Sequence, residues 1–221
     1  LMSFYTSFTK VKNRFFDGMI ITGAPVEMLP FREVKYWDEI IRIFDWARTH
    51  VTSSFYICWG AQAALHHFYG IHKYPLEKKL FGVFRHTITD PSFPLFRGFD
   101  DEFYAPHSRH TTILSEEIRR QPELTILSES EEAGVYIACS RGGREFYVTG
   151  HSEYSPLTLH NEYVRDMEKG MDSVSIPLNY YRDNDPKQLP LVQWRSHANL
   201  LYINYQSTPF NIDEIGQLGE L

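Results

Sequence analysis

Three side chains in this sequence could combine into a nucleophile with its own base. Cys58 follows the aromatic and β-branched run Ser53-Ser54-Phe55-Tyr56-Ile57 and precedes the small, helix-favouring run Gly60-Ala61-Gln62-Ala63-Ala64-Leu65. That change of composition predicts a buried strand turning into a helix with the cysteine at the junction. A tight turn there would present the sulfur at the carboxyl end of a sheet. Gly60 and Ala61 would leave room for a substrate to reach the free N–H groups of the helix. The helix N-terminus also favours a thiolate. A free cysteine is just as often a plain core residue, and the stretch taken alone leaves both readings open.

A thiol nucleophile needs a base, and the base needs an orienting group. His151 and Glu153 follow the apolar run from Glu145 to Gly150. Residues two apart face the same way in an extended chain, so Glu153 can hold one ring nitrogen while the other meets Cys58. A surface histidine beside an acid is the ordinary alternative. What favours the catalytic reading is placement, since parallel sheets gather ligands at the carboxyl ends of their strands. Other candidates are weaker. His66, His67 and His72 lie close in sequence, and His107 and His110 have a ligand-like spacing, but neither a cysteine pair nor an HExxH motif accompanies them, so no metal is expected. Gly23-Ala24-Pro25 lacks the lysine and helix-opening glycines of a phosphate loop. Cys139 lies on the apolar face of a strand with Val135 and Ile137, which predicts a packed core thiol.

These groups need elements to carry them. Asp17 to Pro25 reads as a strand stopped by Gly and Pro, and Val34 to His50 as a helix with one buried face. Strand and helix then alternate to Gly70, which argues for a mostly parallel central sheet flanked by helices, an α/β fold. Leu1 to Lys12 is helix-like. Beyond Gly70 we expect a strand at Phe81 to Thr87, a functional loop at Ala105 to Thr111, and strands at Glu123 to Ser128 and Gly134 to Ser140. Arg141-Gly142-Gly143-Arg144 should turn the chain into the strand that precedes His151. Ser155-Pro156 has the form of a helix cap and first turn, with the helix running to Lys169 and ended by Gly170. Met171 to Pro190 reads as irregular and Trp194 to Tyr205 as a last helix.

The bulk properties narrow the class of protein. A chain of 221 residues suits a single domain, 1–221. With 43% hydrophobic and 23% charged residues it has an ordinary globular composition. The formal net charge of −6 argues against nucleic acid or an anionic membrane as partner. The two cysteines lie far apart, no secretory signal is visible, and no run of about 18 apolar residues exists, so we expect reduced thiols, no membrane span and a cytoplasmic location.

Six ordered segments carry a resemblance: Thr22-Gly23-Ala24-Pro25-Val26-Glu27, Ile57-Cys58-Trp59-Gly60-Ala61-Gln62-Ala63, Arg97-Gly98-Phe99-Asp100-Asp101, Pro106-His107-Ser108-Arg109-His110, Thr149-Gly150-His151-Ser152-Glu153-Tyr154, and Trp194 to Leu201. Together they resemble the homoserine O-acyltransferases of methionine biosynthesis, which are related to class I glutamine amidotransferases, and the likeness runs from Leu1 to about Pro209. The resemblance implies a glutamine amidotransferase-like (flavodoxin-like) fold and a set of roles. Cys58 matches the acyl-thioester nucleophile, His151 the proton acceptor and Glu153 the third member of the triad. Lys79, Ser108 and Arg165 match substrate-binding positions, with Arg165 holding the substrate carboxylate. The backbone N–H groups near Val26 and Trp59 match an oxyanion hole.

Glu27 matches the position associated with the acyl donor in that family, where glutamate goes with acetyl-CoA and glycine with succinyl-CoA. A carboxylate there would both fill the acyl pocket and repel a succinyl carboxylate. The implied reaction is acetyl transfer from acetyl-CoA, as co-substrate and without a bound cofactor, to L-homoserine. Alternatives on the same scaffold are homoserine O-succinyltransferase and serine O-acetyltransferase, since one methylene is weakly discriminated. A truncated, inactive homologue serving as a binding module is a reading of another class. A homodimer is compatible with the resemblance. The family carries a further amino-terminal segment, so this chain reads as amino-terminally truncated, and Ser152 stands where proline is usual.

Overall fold

The computed structural model describes residues 5–170 and 175–207. Seven strands form one sheet: β1 (Phe16–Ile21), β2 (Val51–Ile57), β3 (Tyr74–Ile88), β4 (Glu102–Thr112), β5 (Leu124–Ser130), β6 (Gly134–Ser140) and β7 (Glu145–Val148), in the order β1-β2-β7-β6-β5-β3-β4. Helices α1 (Phe8–Val11), α2 (Trp37–His50), α3 (Trp59–Tyr69), α4 (Ser115–Arg119), α5 (Thr158–Glu168) and α6 (Arg195–Ser207) accompany it. The α/β class and the helix-flanked sheet are as expected. Parallel pairing joins β1 to β2 and β2 to β7, and the remaining pairs are antiparallel, so the sheet is mixed.

Alternation along the central strands separates two cores. Tyr56 and Tyr147 stack at 5.3 Å on one face, beneath Phe44 of α2 and Leu65 of α3. Phe55 and Phe146 face the other way, towards Leu201 and Tyr205 of α6. β2 is buried on both faces from Ser53 to Ile57, its apolar part being Phe55-Tyr56-Ile57. A third cluster, with Phe81, Leu159, Tyr180 and Trp194, seats α5 against β3.

Register is what assembles the site. Ile57 is level with Val148 and Ile21 with Tyr56, so β1, β2 and β7 end side by side. The Cys58 N–H donates to Val148 O at 2.7 Å, which brings the residues after β7 beside the cysteine.

Several expectations need correction. Ala105 to Thr111 is part of strand β4 rather than a loop. Its buried positions include His107, Arg109 and Thr111, so the inward face is polar and the apolar alternation that marks a strand is missing. β4 ends the sheet, where Pro106 is tolerated because an edge strand does not need every N–H. β3 runs well beyond Phe81 to Thr87, with an irregular register between Pro75 and Leu80. α5 starts at Thr158: Ser155 and Pro156 form the preceding turn, and the Ser155 hydroxyl pairs with that of Thr158 at 2.9 Å instead of capping an N–H. Gly170, at φ +65°, ends it as expected. Of the Leu1 to Lys12 helix, one turn at Phe8–Val11 is helical, and residues 1–4 lie outside the described residues, as do 171–174 of the irregular stretch. Cys139 is buried in the core, where desolvation pushes its thiol up to about 12.

Candidate active site

Cys58 sits between β2 and α3 with φ 52° and ψ −118°, a backbone strained for any residue with a side chain. Two glycines allow that turn to be close-packed. A Cβ on Gly60 would lie 3.0 Å from both Ile21 O and Thr22 O, and one on Gly23 would lie 3.1 Å from Cys58 Cβ. The thiol is half-buried and faces a cavity of about 540 Å³. Behind it α3 buries Gly60 to Leu65, so the helix can lie flat against the sheet.

His151 follows β7 and is anchored by its N–H, which donates to Pro106 O at 2.8 Å. Its Nδ1 meets Glu153 Oε1 at 2.6 Å, and the ring stacks on Tyr154 at 4.2 Å. With Nδ1 committed, Nε2 is the nitrogen left for the thiol. Burial lowers the basicity of this imidazole, but hydrogen bonds to Cys58 and Glu153, together with their charges, outweigh it and raise the pKa to about 10. The three residues therefore form a connected thiol–imidazole–carboxylate line, the arrangement that generates a thiolate nucleophile.

Of the other expected residues, Val26, Glu27, Lys79, Ser108 and Arg165 line the same cavity, whereas Trp59 is buried and is not part of its lining. Lys79 reaches Asp166 at 3.2 Å and Glu162 at 3.3 Å. Ser108 donates to Glu162 Oε2, and Tyr154 donates to Glu162 Oε1 at 2.9 Å. Arg165 is paired with Asp166 at 2.7 Å, which raises the guanidinium and lowers the carboxyl. Glu27 lines the cavity too; its Oε1 accepts the His110 N–H at 3.0 Å, and Thr111 Oγ1 lies 3.3 Å from Oε2. The two backbone donors differ in state. Trp59 opens α3, where an N–H has no intrahelical acceptor, whereas the Val26 N–H donates to Ala24 O at 2.8 Å.

Glu162 and Asp166 were not expected, although Glu162 stands three residues before Arg165 and four before Asp166, spacings that share one helix face. His110 and Thr111 fall in the Ala105 to Thr111 segment expected to be functional, and Tyr154 in a segment of the resemblance, but the sequence assigns none of the three a role.

The profile of the homoserine O-succinyltransferase family matches residues 1–210. The chain belongs to that family. A relative named homoserine O-acetyltransferase from Parabacteroides distasonis is 61% identical over all of this chain and 73% of its own length. Another of that name, from Bacteroides fragilis, is 61% identical over 97% of this chain and 72% of its own. One from Clostridium acetobutylicum is 56% identical over 96% and 72%. Among solved structures, a glutamine amidotransferase from Thermotoga maritima aligns with a TM-score of 0.58 at 12% identity, covering 91% of this chain and 78% of that one. A second, from Methylobacillus flagellatus, gives 0.58 at 11%, over 87% and 94%. At such identities the likeness concerns the fold, which is that of the class I glutamine amidotransferases. In this member of the family, as expected, the strand-to-helix cysteine and the strand-end histidine meet at the carboxyl edge of parallel strands.

Proposed function

We propose that this chain transfers an acetyl group from acetyl-CoA to the side-chain hydroxyl of L-homoserine through an acetyl-Cys58 intermediate, as a single cytoplasmic acyltransferase domain. The observation that carries the reading is the Cys58–His151–Glu153 line opening onto the cavity that Glu27 also lines. The Cys58 thiolate attacks the thioester carbonyl. CoA leaves as a thiol, carrying off the proton that His151 drew from Cys58, so one thioester is exchanged for another and the imidazole is again a base. The homoserine hydroxyl then attacks the acetyl carbonyl while His151 takes its proton, and the Cys58 thiolate departs.

Oxyanion stabilisation falls to the Trp59 N–H, joined by the Val26 N–H once its peptide turns away from Ala24 O. Arg165 is the bidentate partner for the homoserine carboxylate, which would replace Asp166 on the guanidinium. Lys79 and Ser108 complete the acceptor side. The family takes its name from succinyl transfer while the relatives above are named for acetyl transfer, and Glu27 supports the acetyl donor: its carboxylate occupies acyl space and repels a second one. Incubation with acetyl-CoA alone should leave one acetyl adduct on Cys58 by peptide mass spectrometry, discharged by homoserine faster than by serine. Absence of the adduct overturns the mechanism.

A further inference from the structure

The acyl-pocket carboxylate does not stand alone. Glu27 is held at two points by neighbouring residues of β4: the His110 N–H on Oε1 at 3.0 Å and the Thr111 hydroxyl 3.3 Å from Oε2. One hydrogen bond lets a carboxyl pivot, and the second sets its plane. The His110 contact comes from the backbone, so the Thr111 side chain is the part of this clamp that the sequence can change.

Thr111 is itself tightly placed. It is buried, its carbonyl accepts from Arg109 Nη1 at 2.9 Å, and Arg109 is buried too, donating also to Ala133 O. The Thr111 hydroxyl lies 2.9 Å from Gln62 Oε1, and Gln62 Nε2 returns a long bond to Thr111 O at 3.4 Å. Gln62 lies on α3, and its N–H donates to Cys58 O at 3.1 Å, the first helical bond after the nucleophile. The hydroxyl has one proton for two oxygen acceptors, so it is shared between the nucleophile helix and the acyl-pocket carboxylate.

We propose that Thr111 is a positioning residue for acyl-donor choice: its hydroxyl, seated by Gln62 and Arg109, holds the Glu27 carboxyl across the acyl pocket in register with the Cys58 helix. This rests on the acyl-transfer reading above. Without the hydroxyl, Glu27 keeps its charge and its His110 bond but is free to pivot out of the acyl space, and a longer, carboxylate-bearing acyl group meets less resistance.

The test compares the rates at which acetyl-CoA and succinyl-CoA load Cys58, followed by mass spectrometry, in wild type, Thr111→Val and Thr111→Ser. The acetyl preference should fall about fivefold in Thr111→Val, the worth of one shared hydrogen bond of about 1 kcal/mol, and stay within about twofold of wild type in Thr111→Ser. The double variant Thr111→Val/Gln62→Met, which leaves no acceptor facing a lost donor, should show the same fall, and it stands in if the single variant does not fold. An unchanged preference in the valine variants overturns the proposal. So does an equal fall in Thr111→Ser, which would assign the effect to the methyl group's packing. A wild type that forms no adduct from either donor overturns instead the reading of the site on which the proposal rests.

Discussion

Replacing Glu153 with glutamine keeps the shape of the side chain and removes its charge, and the consequence for His151 can be worked out from the contacts. The His151 imidazole is raised to about 10 by Cys58 and Glu153 acting against burial. The Glu153 contact is a 2.6 Å bond, but that side chain is 35% exposed, so its charge is partly screened. A charge-assisted bond of about 1.5–3 kcal/mol is therefore discounted to about 1.5 kcal/mol, or about one pH unit. Glu153→Gln should titrate His151 near pH 9, and Glu153→Gln/Cys58→Ala should drop it below the ordinary 6.5, because burial is then unopposed. The assay is an NMR titration of histidine-labelled protein, with the His151 signal assigned by its loss in His151→Gln. A linked effect follows in stability. A base whose folded pKa is raised stabilises the fold fully below 6.5 and loses that contribution as pH rises to about 10, with a slope of at most about 1.4 kcal/mol per pH unit. Urea unfolding across that window should show a decline in Glu153→Gln that ends near pH 9 and is smaller in total by about 1.4 kcal/mol. If His151 in Glu153→Gln titrates within about 0.2 of the wild-type value, where one unit is about 1.4 kcal/mol, Glu153 is not its charge partner and the triad assignment fails.

Two further substitutions probe the frame around the site. Gly23→Ala places a methyl 3.1 Å from Cys58 Cβ and 3.6 Å from the Trp59 nitrogen, so it should slow Cys58 acetylation about tenfold through a small displacement of the nucleophile while the thermal melt shifts little; full-rate loading would show that this corner tolerates movement. At the other end of β7, Glu145 is buried and accepts from both Arg48 Nε and Nη2, at 2.8 and 2.9 Å, and from Ser140 at 2.8 Å. Glu145→Ala strands the half-buried Arg48 guanidinium and should cost about 3 kcal/mol, a fall of about 6–12 °C in Tm by calorimetry.

The nucleophile turn was legible because composition changes sharply across it. Residues before Cys58 prefer strand, residues after it prefer helix, and only a tight turn joins the two. His151 was legible for a related reason, being the first polar residue with acid–base chemistry after an apolar strand. The β4 segment was not legible. Sequence patterning reports where apolar groups hide from water, and the inward positions His107, Arg109 and Thr111 are polar groups that bury by bonding to one another and to the backbone. The residues that pattern reading treats as loop are for the same reason the ones that connect Glu27, Gln62 and His151. The start of α5 was misplaced because Ser-Pro marks a turn as well as a cap, and only the partner of the Ser155 hydroxyl tells them apart.

The buried polar face of β4 also explains why the glycine before His151 has to be a glycine. Arg109 is a permanent donor, so the long bond from its Nε to His107 Nδ1 at 3.5 Å makes that nitrogen an acceptor and leaves the His107 proton on Nε2. From there it is donated to His86 Nε2 at 3.0 Å. Desolvation holds both rings neutral, lowering His86 to about 3 and His107 well below its ordinary value, so the chain of bonds has one fixed polarity near neutral pH. The His107 ring and Tyr136 form the floor beneath Gly150, where a Cβ would come within 2.8 Å of both. Backbone and floor thus touch with no room for a side chain, and the peptide that carries His151, tied above to Pro106 O, has a single place to lie.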